Sequence, residues 1–206
     1  MSLETWLAFL GASALLVMLP GPTILTVISY SIAQGRRARL PLVLAVALGD
    51  STALLLSLLG LGALLAASAF WFTVVKTVGG LYLLYLGFKL LRAGVSPATL
   101  PATASGSRWK LFANTYLVTA LNPKGIIFFV AFLPQFIDPA GDVTRQLWIL
   151  SATFVACAGI NATAYAIFAG SARRLLASPR AQRGFNLGGG ALLSAAGIWA
   201  LLARRV

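Results

Sequence analysis

Two ionisable residues stand deep inside otherwise apolar sequence: Asp50, in "LGD" at 48–50, and Lys124, in "TALNPKGIIFF" at 119–129. A charge at the centre of a membrane helix costs on the order of 2.5 to 3.5 kcal/mol on insertion scales, so each of the two needs the other or a ligand. An ammonium and a carboxylate held at separate points are what a zwitterion requires. Asp50 is the only acid deep within any apolar span, and the chain has no histidine. If a proton is carried through these segments, Asp50 is therefore its leading carrier.

Lys124 directly follows a proline, and a second interruption lies in "LVMLPGPTILT" at 16–26. Proline has no N–H, so Pro20 and Pro22 deprive the carbonyls of Leu16 and Met18 of their helical partners, and Pro123 does the same to Thr119. Broken backbone survives at membrane depth only against protein or a water-filled cavity. A new half-helix begins after Pro22 and another after Pro123, and such starts offer free N–H groups and a positive dipole end to an anion. With Lys124 beside one of them, Pro20, Gly21, Pro22, Asn122, Pro123 and Lys124 read as a carboxylate site, and Asp50 as the partner of a cationic group or the acid that exchanges it for a proton. At 1.5 Å per residue, Pro20 lies about 21 Å from Trp6, Asn122 about 17 Å from Leu111 and Asp50 about 15 Å from Leu40, all near the middle of a core about 30 Å thick.

Other residues carry weaker signals. Tyr82 and Tyr85 in "GGLYLLYLG" could present hydroxyls to a cavity or simply pack. Asn161 is a candidate second-half partner of Asp50, with an interhelical hydrogen bond as its plainer explanation. Lys76 and Lys89 read as anchors that snorkel from the ends of a span. For the whole constellation the competing reading is structural: membrane prolines kink helices, and an Asp–Lys pair can lock two of them together.

The elements that hold these residues are membrane helices. The chain is 59% hydrophobic and 10% charged, with a mean hydropathy of +0.90, and its apolar segments lack the polar face of a soluble helix. Six spans are expected at roughly 5–33, 41–67, 70–91, 111–137, 146–170 and 185–203. The net charge of +12 would suggest nucleic acid in a soluble protein; here most basic residues sit in short loops, so no nucleic-acid partner is expected and the lipid bilayer is. The links after spans 1, 3 and 5 hold eleven Lys and Arg residues, from Arg36 to Arg183, against Lys76, Arg145, Arg204 and Arg205 on the other side. That asymmetry puts the three basic loops in the cytoplasm and both termini outside, although Arg204 and Arg205 pull the last helix the other way. The start, with Glu4 and a long apolar run, does not read as a cleavable signal peptide. Cys157, the lone cysteine, reads as a packing residue.

An internal repeat orders the spans. Gly49, Gly60, Gly79, Gly80 and Gly87 recur at one offset as Gly159, Gly170, Gly189, Gly190 and Gly197. Three helices per half is an odd number, so the halves must be inverted, and matched broken helices in inverted repeats point to a secondary transporter with a midplane site. The expected fold is all-α and integral to the membrane: two inverted three-helix repeats with Pro-broken helices 1 and 4. Repeat 1 covers 1–92, a cytoplasmic loop 93–110 and repeat 2 111–206. The glycine faces of spans 3 and 6 could pack within one chain or between copies, which leaves a homo-oligomer open.

Enzyme chemistry is not indicated: there is no histidine for a triad, no pair of buried carboxylates and no nucleotide loop. No cofactor is implied. A divalent-cation exporter is an alternative, but one buried acid, no histidine and one cysteine make a poor cage. A non-transporting membrane scaffold is the other.

"LPGP" in span 1, "LGD" at 48–50, "KTVGGLYLLYLGFKLLR" in span 3 and "NPKGIIFFVAFLPQF" in span 4 together resemble, in order and spacing, the LysE/RhtB family of bacterial amino-acid exporters. The resemblance runs over essentially the whole chain. It implies an inner-membrane efflux protein for amino acids or relatives such as threonine, homoserine or homoserine lactone, driven by the proton gradient. It carries Pro20, Gly21, Pro22, Asp50, Asn122, Pro123 and Lys124 over as key positions. Thr23 stands where Asn or Asp often follows the motif and Gly125 where Ala is common, both beside the site, so the substrate does not carry over with the fold.

Overall fold

The computed structural model describes residues 1–67, 69–95, 107–138 and 140–202. Most of the expected 93–110 loop, the Lys76 side chain and the Arg204–Arg205 pair lie outside the described residues.

The described residues are predominantly helical, and the first span is two half-helices. α1 (Leu3–Met18) starts on Ser2, whose hydroxyl accepts the Thr5 N–H, and stops where Pro20 can no longer donate. The chain then runs extended through Leu19 and Gly21 into α2 (Pro22–Gln34), with Pro22 at the first helical position, where a missing N–H costs nothing. A 3-10 turn (Gly35–Ala38) reverses direction, with Gly35 at φ 61°, a left-handed conformation that a residue without Cβ adopts at no steric cost. α3 (Arg39–Ala67) and α4 (Ala69–Leu91) complete the first half.

The second half repeats the pattern. α5 (Arg108–Ala120) ends at a break, and α6 (Pro123–Ile127) continues through a π-helical turn (Phe128–Phe132) and a 3-10 turn (Leu133–Phe136). α7 (Val143–Ile167) is capped by the Asp142 carboxylate on the Arg145 N–H. The expected fifth span runs three residues too far. The chain turns at Phe168 into a short helix not anticipated from hydropathy, α8 (Ala169–Ala177), which packs Ala169, Ala172 and Leu176 onto Ile24 and Ile28 of α2. α9 (Pro179–Leu202) begins six residues before the expected sixth span, because Pro179 is a good first helical residue and the polar turn after it is still helix. Arg180 and Arg183 thus sit on α9 and not in a loop.

Pro22–Gly60, Arg108–Phe136 and Val143–Ile167 are stretches long and apolar enough to cross a bilayer. Exposed Leu44, Leu48, Leu55 and Leu59 on α3 and Trp148 on α7 suit a lipid-facing surface. Inside, Phe9, Phe128, Phe132, Phe136 and Phe154 form a continuous ring cluster that binds α1, the π-helical turn and α7 together.

The repeat shows in how α4 and α9 meet. A Cβ on Gly87 would stand 2.8 Å from the Gly190 carbonyl oxygen, and one on Gly197 would stand 2.7 Å from that of Gly80. Gly80 and Gly190 are repeat mates, as are Gly87 and Gly197, and each glycine touches the other pair's member. That reciprocal pattern is what antiparallel packing about a two-fold axis gives. Spans 3 and 6 therefore pack on each other within one chain.

Candidate functional site

The two breaks meet. The Asn122 amide donates from Nδ2 to Thr23 Oγ1 at 3.2 Å, while its Oδ1 accepts the Lys124 N–H at 3.2 Å and so caps α6. Both residues are buried. The starts of α2 and α6 are thereby tied together across the halves.

The end of α1 sets the other wall. A helix leaves its last four carbonyls without partners, and all four here are met by side chains from the second half. Lys124 Nζ donates to the carbonyl oxygens of Leu16 at 3.0 Å and Leu19 at 2.9 Å. Asn161 Nδ2 donates to Val17 at 2.8 Å, and the Tyr165 hydroxyl to Met18 at 3.1 Å. At the second break the carbonyl that Pro123 leaves, that of Thr119, accepts the nearby N–H groups of Leu121 and Asn122. The positively charged end of Lys124 lies against the negative end of the α1 dipole, a favourable arrangement.

Between these walls is a small cavity of about 40 Å³ lined by Gly21, Thr23, Asp50, Asn122, Lys124 and Asn161, with Val46, Phe154 and Ala158 as apolar sides. It is large enough to hold water. Among the described residues none hydrogen-bonds or ion-pairs at contact distance with the Asp50 carboxylate, and the charge it faces is the Lys124 ammonium on the same cavity. Lys124 spends two of three N–H donors on carbonyls, leaving one. At the start of α2 no side chain caps the amides of Thr23 and Ile24, and both residues line the cavity.

Six of the ten expected site residues line this cavity, and Pro20, Pro22 and Pro123 frame it as the residues that make the breaks. Tyr82 does not join them: its ring packs against Tyr85 on α4. Asn161 reaches the site through the Val17 carbonyl. Tyr165 was not anticipated, although it lies four residues after Asn161 and so on the same face of α7. A Cβ at Gly125 would meet only the Phe129 ring at 3.8 Å, so alanine fits there. Among the described residues no group of three or more His, Cys, Asp or Glu could hold a metal ion.

Comparison with known proteins gives a consistent family. The family model described as "LysE type translocator" matches residues 14–204. An uncharacterized membrane protein of Vibrio cholerae is 33% identical over 90% of this chain and 91% of its own length. A homoserine/homoserine lactone efflux protein of Salmonella typhimurium is 31% identical over 98% of both chains. A leucine efflux protein of Salmonella choleraesuis is 31% identical over 73% of this chain and 71% of its own. No solved structure matches.

Proposed function

The chain belongs to the LysE type translocator family, and on that premise we propose that it is a secondary-active exporter of amino acids or their derivatives, such as threonine, homoserine or homoserine lactone, across the bacterial inner membrane. The observation that carries this reading is one cavity, bounded by two broken helices, that places a carboxylate with no hydrogen-bond donor on it opposite a lysine with a donor to spare. The substrate's α-amino group binds Asp50. Its carboxylate binds the remaining Lys124 N–H and the uncapped amides of Thr23 and Ile24. The efflux names of two relatives support the direction of transport, and the basic loops on the cytoplasmic side orient it.

Coupling runs through Asp50. When a proton from the outer side occupies the carboxylate, the ammonium of the cargo loses its partner and leaves. After the proton passes to the cytoplasm, the ionised carboxylate receives the next cargo. The motion is a rocking of one repeat against the other about the two proline breaks.

The direct test is uptake of labelled threonine, homoserine, leucine, lysine, arginine and homoserine lactone into inverted membrane vesicles with an acidic interior. Gradient-dependent accumulation of one or more is expected. No accumulation of any, with the protein shown to be folded, would reject this cargo class and favour the scaffold or metal alternatives.

Lys124→Gln separates the two ends of the substrate. Hydrogen bonds to charged groups are worth about 1.5 to 3 kcal/mol, so the half-saturation concentration for carboxylate substrates should rise about 10- to 100-fold. Homoserine lactone, whose carboxyl is esterified, should be affected much less. Loss of the two α1 carbonyl bonds weakens both substrates alike, so the contact is read from the additional loss for carboxylate substrates, and the absence of any such difference would remove Lys124 as the carboxylate contact.

A further inference from the structure

The end of α1 is built as a cation site. Leu16 and Leu19 present two carbonyl oxygens at 3.0 and 2.9 Å to a single point, that point lies at the negative end of a helix dipole, and Asp50 faces the same cavity. In transporters with discontinuous helices, half-helix ends and unwound carbonyls of this type coordinate the coupling cation. Here the point is occupied by the Lys124 ammonium, delivered from the start of α6 in the opposite repeat. The neighbouring carbonyls of Val17 and Met18 receive only neutral donors, from Asn161 and Tyr165. Of the four, only the Leu16 and Leu19 carbonyls receive a charged donor, and Leu16 accepts the Leu19 N–H at 3.3 Å as well.

We propose that the Leu16–Leu19 carbonyl pair is a monovalent-cation site that the protein fills with its own Lys124 ammonium, so that the transporter needs no sodium ion to close the break between α1 and α2. The tether also explains why the two halves are joined at this point: a free ion would neutralise the carbonyls without connecting the repeats. The site stands on the geometry of the break and holds for any cargo.

The test reads protein stability and not transport. Thermal unfolding of the purified wild-type protein is compared at equal concentrations of choline, sodium and ethylammonium chloride, and the midpoint is expected to be the same in all three. Lys124→Ala empties the ammonium and its stem. Its midpoint should fall in choline and recover in ethylammonium, which fits the vacated volume, by on the order of 5 °C. Lys124→Met keeps the stem volume without the charge, and ethylammonium should not rescue it. A wild-type protein stabilised by sodium over choline would overturn the proposal, as would a Lys124→Ala protein equally stable in choline and ethylammonium. If Lys124→Ala cannot be purified in choline, it is prepared in ethylammonium throughout, and failure to fold there also overturns it.

Discussion

Asp50→Asn should abolish gradient-driven accumulation while leaving exchange of labelled for unlabelled substrate across the membrane. The carboxamide keeps the size of the side chain and an oxygen that can accept from an ammonium, but it cannot take up or release a proton. No other acid lies deep in a span, and the chain has no histidine to take over. In vesicles two pH units more acidic inside, with the membrane potential clamped, one proton exchanged per substrate sustains about a hundredfold accumulation, since each tenfold ratio corresponds to about 1.4 kcal/mol. Wild-type protein should approach that ratio. The variant should level off near equal concentrations inside and out, and should still reach that plateau faster than protein-free vesicles. Full accumulation by the variant would remove Asp50 from the coupling step.

The part of this site legible in the sequence is the part that depends on backbone chemistry. Pro20, Pro22 and Pro123 cannot donate, so the breaks follow from residue type alone, and the structure has them after Met18 and Ala120. Charge at depth was equally legible, because Asp50 and Lys124 have no soluble surroundings to hide in. Which groups satisfy the freed carbonyls was not legible. That depends on α7 crossing α1 so that Asn161 and Tyr165 reach Val17 and Met18, more than 140 positions away in sequence. Lys124 shows the same limit: its charge marked it for a ligand, yet the structure gives two of its donors to backbone. α8 escaped because its small, basic composition falls below any membrane-span signal, and only its packing on α2 reveals it as helix. The glycine offset identified the repeat without distinguishing its working members. Gly87, Gly190 and Gly197 lie at crowded contacts, whereas Gly60, Gly159 and Gly170 have nothing within 4 Å of a added Cβ.

That difference sets the largest expected effect on stability. In lipid, helices associate through close packing, so residues without a side chain at the contact let the backbones approach. At Gly190 an added Cβ would stand 2.8 Å from the Gly87 carbonyl and 2.6 Å from Leu91 Cγ; at Gly197 it would stand 2.7 Å from the Gly80 carbonyl and 2.8 Å from the Leu84 nitrogen. Backbone atoms of a neighbouring helix cannot rotate away, so α4 and α9 must separate along the two-fold contact. Overpacking of this kind costs about 1 to 3 kcal/mol, and at about 2–4 °C per kcal/mol for a chain of this size the unfolding midpoint of Gly190→Ala or Gly197→Ala should fall by about 2 to 12 °C. Gly188→Ala, two residues from Gly190 in the same "GGG" run, meets nothing within 4 Å. It should be neutral or slightly stabilising, because alanine is the better helix former. The pair separates a packing role from a helix-propensity role within one turn of one helix: equal midpoints for Gly188→Ala and Gly190→Ala would mean that α4 and α9 are not held at this contact, and the two-fold arrangement of the repeats would lose its main support.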